Sequence, residues 1–141
     1  AIASPQAKQK LVPMLLERGA FFESVIHPET DLGEFNTIGK GVVIYPGFGM
    51  TVNCHIGNFV TMLDSRMGHD VEIGEYATVS SMCHILGNAR IGKSAFIASN
   101  AVIAPHAHIE DGAYVGLGSV VLRKVRAGKR VFGNPAREMD F

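Results

Sequence analysis

Several kinds of protein are excluded by what this chain lacks. Its 141 residues hold two cysteines, Cys54 and Cys83, too few for a disulfide framework. No apolar run approaches the roughly 20 residues that a membrane-spanning helix needs. The first residues show no charged-then-apolar signal segment, and a cytoplasmic location fits both absences. Charge is scarce, at 18% of residues against roughly 25% in an average soluble domain. The 13 Lys and Arg balance 13 Asp and Glu, so no global field argues for a nucleic-acid partner. What is present is a 47% hydrophobic composition, enough for one domain with a real core. The sparse charge is unevenly placed. Arg123, Lys124, Arg126, Lys129, Arg130 and Arg137 crowd the end of the chain against Glu138 and Asp140.

The dominant positive feature is a count of six. Met67, Ile73, Val79, Ile85, Ile91, Ile97, Ile103, Ile109, Val115 and Val121 each follow the last by six residues. Four positions after each stands a smaller or β-branched residue: Val71, Ala77, Cys83, Ala89, Ala95, Ala101, Ala107, Ala113, Ser119 and Val125. An earlier series runs Leu32, Ile38, Ile44, Met50, Ile56, Met62. The step from Met62 to Met67 is one residue short, just ahead of Gly68-His69-Asp70. A hexapeptide period specifies a parallel β-helix. Three hexads form a coil of about 18 residues with three flat faces. The large residue fills the prism, and the residue four on sits small at a tight corner. Residues 32–126 then make about five coils. General crossover rules favour a right-handed connection, and the pattern itself does not set the hand.

Ahead of the coils, Ser4-Pro5 reads as a helix start, Ser capping and Pro at the first helical position. Leu11, Val12, Leu15 and Leu16 give an apolar face, Gly19 a stop, and Pro13 an expected kink or split. Residues 21–26 read as a strand ended by His27-Pro28.

The coil length also acts as a ruler. Residues 18 apart stack on one another, so His69, Gly87, Pro105 and Arg123 form one column, and Asp70, Asn88, His106 and Lys124 the next. A His-Asp pair, a glycine one coil away and basic residues farther on thus share one edge. By strand spacing, His106 lies roughly 10 Å from Asp70, too far for contact but able to line the same groove. Cys54 and Cys83 fall on small inward positions, where cysteine behaves as a small hydrophobe rather than a nucleophile.

Together these residues resemble the hexapeptide-repeat acyltransferases, and within them the bacterial sialic-acid O-acetyltransferase and nucleotide-sugar N-acetyltransferase group (NeuD/PglD-like). The resemblance rests on Val25-Ile26-His27-Pro28, on Gly68-His69-Asp70 followed by Ile73-Gly74, and on Leu86-Gly87-Asn88. It extends through Gly118-Ser119-Val120-Val121 to Phe132-Gly133-Asn134-Pro135-Ala136-Arg137, covering nearly the whole chain. It implies an all-β, left-handed parallel β-helix with a short N-terminal helix-strand remnant and a C-terminal cap. It implies that His69 is a general base, that Asp70 orients it, and that the Gly87 amide contacts a thioester carbonyl. Acetyl-CoA would lie between neighbouring subunits of a homotrimer, its pantetheine running toward the C-terminal coils. Pro105, His106 and Lys124 would line its path. Lys129, Arg130 and Arg137 would meet its phosphates, and Asn134-Pro135 its adenine. The acceptor would be an amino group of a nucleotide-linked sugar, in bacterial surface glycan synthesis, with no metal required.

Two features depart from that group. Its members carry a nucleotide-binding α/β domain before the coils. Residues 1–28 are therefore expected to be the end of such a domain, and 29–141 the β-helix acyltransferase domain. The stretch Met62-Leu63-Asp64-Ser65-Arg66 differs from the Asn and small residues usual in the sugar pocket, which leaves the acceptor open. A sialic-acid or other sugar O-acetyltransferase, a trimeric scaffold without chemistry, and a zinc γ-type carbonic anhydrase are the alternatives. Six histidines raise the last of these, but the His-x4-His ligand pair of those enzymes is absent.

Overall fold

The computed structural model describes residues 2–139, so Ala1, Phe141 and the Asp140 of the terminal charge count lie outside it. Residues from Val25 onward wind into a left-handed parallel β-helix of about six turns, preceded by one helix. Two-residue strands repeat along three flat sheets, each strand pairing in parallel with those one coil before and after. The first sheet runs from Val25–Ile26 to Arg130–Phe132, the second from Asp31–Leu32 to Val120–Val121, the third from Thr37–Ile38 to Lys124–Val125. The coil count exceeds the expected five. Val25–Ile26 already pairs with Val43–Ile44 as a first rung, and Arg130–Phe132 adds a last one.

Inside the prism the hexad residues stack into one core. Ile44, Met50, Ile56, Met62, Met67, Ile73, Val79, Ile85 and their successors are buried, with Cys54, Val71, Ala77, Cys83 and Ala89 at the corners. Each large side chain contributes about 1.5–3 kcal/mol by leaving water. Corners are closed by one residue in the left-handed region: Asn53 (φ 58), Asp70 (φ 55), Asn88 (φ 61) and His106 (φ 60) along one edge. Asn and Asp tolerate this conformation better than other non-glycine residues. The amide of each such residue bonds to the corner of the coil before. Asp70 donates to the Val52 carbonyl (3.0 Å), Asn88 to His69 (2.9 Å) and His106 to Gly87 (3.1 Å).

The five-residue step before Met67 shortens one corner, so Thr61 pairs with Thr78 and Gly49 with Arg66, one residue off the usual register. A second shortening lies between Val121 and Val125. Val125, expected at a small corner position, is instead an inward strand residue paired with Ile109. Lys124 accordingly stacks on His108, not His106. Arg123, whose carbonyl accepts the His108 amide, takes the place that Ala107 has in the coil before instead of standing over Pro105, which corrects both columns. At both shortened corners no described residue adopts a positive φ. The first corner lacks the one residue that would have turned left-handed, and the second, with four residues from Val121 to Val125 in place of six, lacks two.

The helix spans Pro5–Glu17 without interruption. Its Ser4 Oγ accepts the Ala7 amide at 3.2 Å. Of the kink or split expected at Pro13, the split is absent. The carbonyl that loses its donor belongs to Gln9, which is exposed and open to water. The expected apolar face is corrected too. Pro5, Lys8 and Val12 face the coils, while Leu11, Leu15 and Leu16 are exposed. Lys8 sets this rotation. Its buried ammonium shares its three N–H groups among four oxygens within hydrogen-bond distance, the Phe59 and Ala77 carbonyls (2.9 and 3.0 Å) and the Thr61 and Thr78 hydroxyls (3.2 and 3.0 Å). Of the expected strand over 21–26, only Val25–Ile26 forms. Phe22 instead meets Phe59 edge-on, with ring centroids 5.2 Å apart. At the far end Arg137–Glu138 folds back antiparallel on Arg130–Phe132 and covers that edge.

Candidate active site

The corner after strand Arg66–Met67 carries Gly68, His69 and Asp70. Gly68 allows the coils to approach, since a Cβ there would meet the Gly87 nitrogen at 2.9 Å. Behind it the Cys54 thiol donates to the Gly68 carbonyl at 3.0 Å, and burial raises the pKa of that thiol. Cys54 and Cys83 are both buried and free, holding backbone carbonyls from inside the prism.

His69 and Asp70 are adjacent in sequence yet face one another, because the left-handed backbone of Asp70 turns its carboxylate back along the corner. His69 Nδ1 lies 2.7 Å from Asp70 Oδ2. A carboxylate accepts the Nδ1 proton, which leaves the lone pair on Nε2. That nitrogen points at the next coil: a Cβ built on Gly87 would stand 2.5 Å from it. Gly87 has no positive φ. No turn asks for glycine there; any side chain at this position would have to displace the imidazole from its place. The Gly87 amide finds no acceptor among the described residues.

The second carboxylate oxygen is also held. Asn53, on the same edge one coil earlier, donates from Nδ2 to Asp70 Oδ1 at 2.5 Å. The hydrogen bonds from His69 and then Asn53 keep the Asp70 carboxyl below its ordinary range, although the pair is exposed. Sequence reasoning missed Asn53. It sits 17 residues before Asp70 because of the shortened corner, one off the ruler of 18. Lys8 was missed as well, since a helix lysine gives no signal of burial.

The remaining predicted residues divide into two groups. His106 borders an open groove of about 430 Å³ with Asn53, His55, Asp70, Glu72, Asn88, Arg90 and His108, and Pro105 is exposed at the same corner. Farther along, Lys124, Pro135 and Arg137 join Arg123 around a cavity of about 490 Å³. Lys129 and Arg130 are not among its lining. Lys129 lies 3.9 Å from Glu138, and Arg130 lies over the Tyr114 ring. Asn134 precedes Pro135 through a cis peptide in the closing turn. The basic end is partly neutralised. Lys124 pairs with Glu110 at 2.6 Å and Arg126 pairs with Glu138 at 2.8 Å. Among the described residues Arg123 and Arg137 have no carboxylate partner. No three His, Cys, Asp or Glu side chains converge as metal ligands among the described residues. No described helix is long and apolar enough to cross a membrane.

Comparison with known proteins gives a consistent picture. Residues 88–123 match the family described as bacterial transferase hexapeptide (six repeats). The GDP-perosamine N-acetyltransferase of Escherichia coli O157:H7 is 36% identical over 146 residues, covering 99% of this chain and 66% of that protein. The chain therefore spans just under two thirds of that relative's length. Among solved structures, WeeI from Acinetobacter baumannii AYE is 33% identical with a TM-score of 0.77, covering 99% of this chain and 68% of that one. PerB from Caulobacter crescentus, in complex with CoA and GDP-perosamine, shares the fold at a TM-score of 0.94 and 24% identity, with coverage of 99% and 68%.

Proposed function

This chain belongs to the bacterial hexapeptide-repeat acyltransferases, and we propose that it transfers an acetyl group from acetyl-CoA to an amino group of a nucleotide-linked sugar. The observation that carries this reading is the imidazole whose Nδ1 is bound to a carboxylate and whose Nε2 faces a glycine. The named activity of the E. coli relative and the two ligands of PerB supply the substrate class.

The chemistry asks little of the protein because a thioester is already activated. The sugar amine attacks the thioester carbonyl, and His69 Nε2 takes the proton the nitrogen sheds. The developing oxyanion is placed to accept from the Gly87 amide. When the carbon–sulfur bond breaks, the CoA thiolate receives that proton back from His69. The products are an amide and free CoA, and the enzyme is unchanged. A base of this kind contributes about 10²–10⁴-fold, and one oxyanion donor about 10²–10³-fold. Asp70 holds the imidazole in the useful tautomer and stabilises the imidazolium while it exists.

In this reading CoA runs from His69 past Pro105 and His106 to the basic end, where Arg123, Lys124 and Arg137 attract its phosphates. Asn134-Pro135 lies against the adenine, with Lys129 and Arg130 at the margin. His69 is 57% exposed in the single chain. A second copy would supply the missing wall, as in a homotrimer with sites between subunits working in the cytoplasm. Release of CoA thiol in the presence of nucleotide-linked amino sugars and of sialic acid tests the proposal. Turnover with an amino sugar is expected. Turnover only with hydroxyl acceptors, or thiol release with none, would refute it.

A further inference from the structure

We infer that Asn53 is a positioning residue for the His69–Asp70 pair, fixing the carboxylate so that the imidazole is held at one angle. The inference deepens the reading of His69 as the base and rests on it. Among the described residues Asp70 is the one side chain hydrogen-bonded to His69, and its carboxylate would otherwise be free to turn about its last bond. At 41% exposure, water would compete for both of its oxygens. The Asn53 amide removes that freedom by donating to Oδ1 at 2.5 Å, while Oδ2 holds His69 at 2.7 Å. The two bonds occupy opposite oxygens, so the plane of the carboxylate is set by two partners rather than one.

Asn53 is itself well anchored. It closes its own corner at φ 58, and its amide N–H donates to the Glu34 carbonyl at 3.2 Å. The Asp70 amide donates to Val52, the residue before Asn53. Backbone and side chain therefore tie the two corners together, and the relay runs Asn53, Asp70, His69 along one edge. An asparagine fits this place for two reasons. It tolerates the left-handed backbone, and it offers a neutral donor. An aspartate would tolerate the backbone equally but present like charge to Asp70.

These two properties define the test. Asn53→Gly keeps the left-handed corner without strain and removes only the amide. Asn53→Asp keeps shape and backbone but replaces the donor with a second carboxylate. With the full chain, acetyl-CoA and the amino-sugar acceptor that supports turnover, Asn53→Gly is expected to lower kcat about 10-fold, as loosened orientation of a reacting group does. The KM for acetyl-CoA should stay unchanged. Asn53→Asp should lower kcat at least as much. It should also move the acidic limb of the rate profile to higher pH, because added negative charge holds the proton on the imidazole. The other titratable groups facing this groove, His55, Glu72, Arg90, His106 and His108, are common to all variants. Asn100→Gly makes the same exchange at the left-handed position of another edge (φ 61) and should leave kcat and the profile alone. Asn53 variants with wild-type kcat and pH profile, beside an inactive His69→Ala, would overturn the role of Asn53 and leave the base standing. Full activity in His69→Ala would overturn both.

Discussion

At the scale of single residues, function comes from what each corner position excludes. Gly87 marks the limit, because a methyl group there would occupy the space of His69 Nε2. Gly87→Ala is predicted to lower kcat about 10²-fold by displacing the ring while leaving the unfolding midpoint nearly unchanged, since the imidazole is exposed and can swing away. Wild-type turnover in that variant would show that the ring works elsewhere. Asp70 supplies a sign for pH dependence. Its folded pKa lies below the unfolded value, so its pairing is present above the ordinary carboxylate range. The pairing is lost only as pH falls through the lower folded value. Loss of activity nearer neutrality must therefore come from another group. Much of this was legible in the sequence, because one period stacks Gly87 next to His69. Asn53 was not, since the residue omitted before Ser65 breaks that period at the coil joining it to Asp70.

At the scale of elements, hexads read well and the helix poorly. A repeated inward position announces burial many times over, so the strands and their core followed directly. The helix offered one apolar pattern, and Leu11, Leu15 and Leu16 were the wrong face. Lys8 overrides it by meeting four oxygens that the coils present. The second shortened corner was unreadable for a related reason: Val125 suits an inward strand position as well as a small corner. Burial lowers the Lys8 pKa to about 8 from 10.5. The unfolded chain thus binds more protons than the folded one between those values, and stability must rise with pH across that window. Denaturant unfolding at both ends of it should show the wild type gaining about 3 kcal/mol relative to Lys8→Met. Equal pH responses in the two proteins would mean the ammonium is not buried in solution.

At the scale of the whole molecule, the coil axis joins two regions with separate tasks. The middle coils hold the His69 pair, and the closing turn gathers Arg123, Lys124, Pro135 and Arg137. With Lys124 held by Glu110, Arg123 and Arg137, the arginines lining that cavity, should dominate attraction of CoA phosphates. Arg123→Ala and Arg137→Ala are each expected to weaken CoA binding about 10-fold and to reduce its salt dependence, as measured by titration calorimetry at two ionic strengths. Equal affinity in the variants would place the phosphates elsewhere, with Lys129 and Arg130 next to be tested.

The central claim is that His69 is the base for acyl transfer. It is tested most directly by kcat of His69→Ala, measured beside its affinity for CoA. The account predicts that kcat falls by about 10²–10⁴ while CoA binds as it does to the wild type. Unchanged turnover with CoA bound would contradict it.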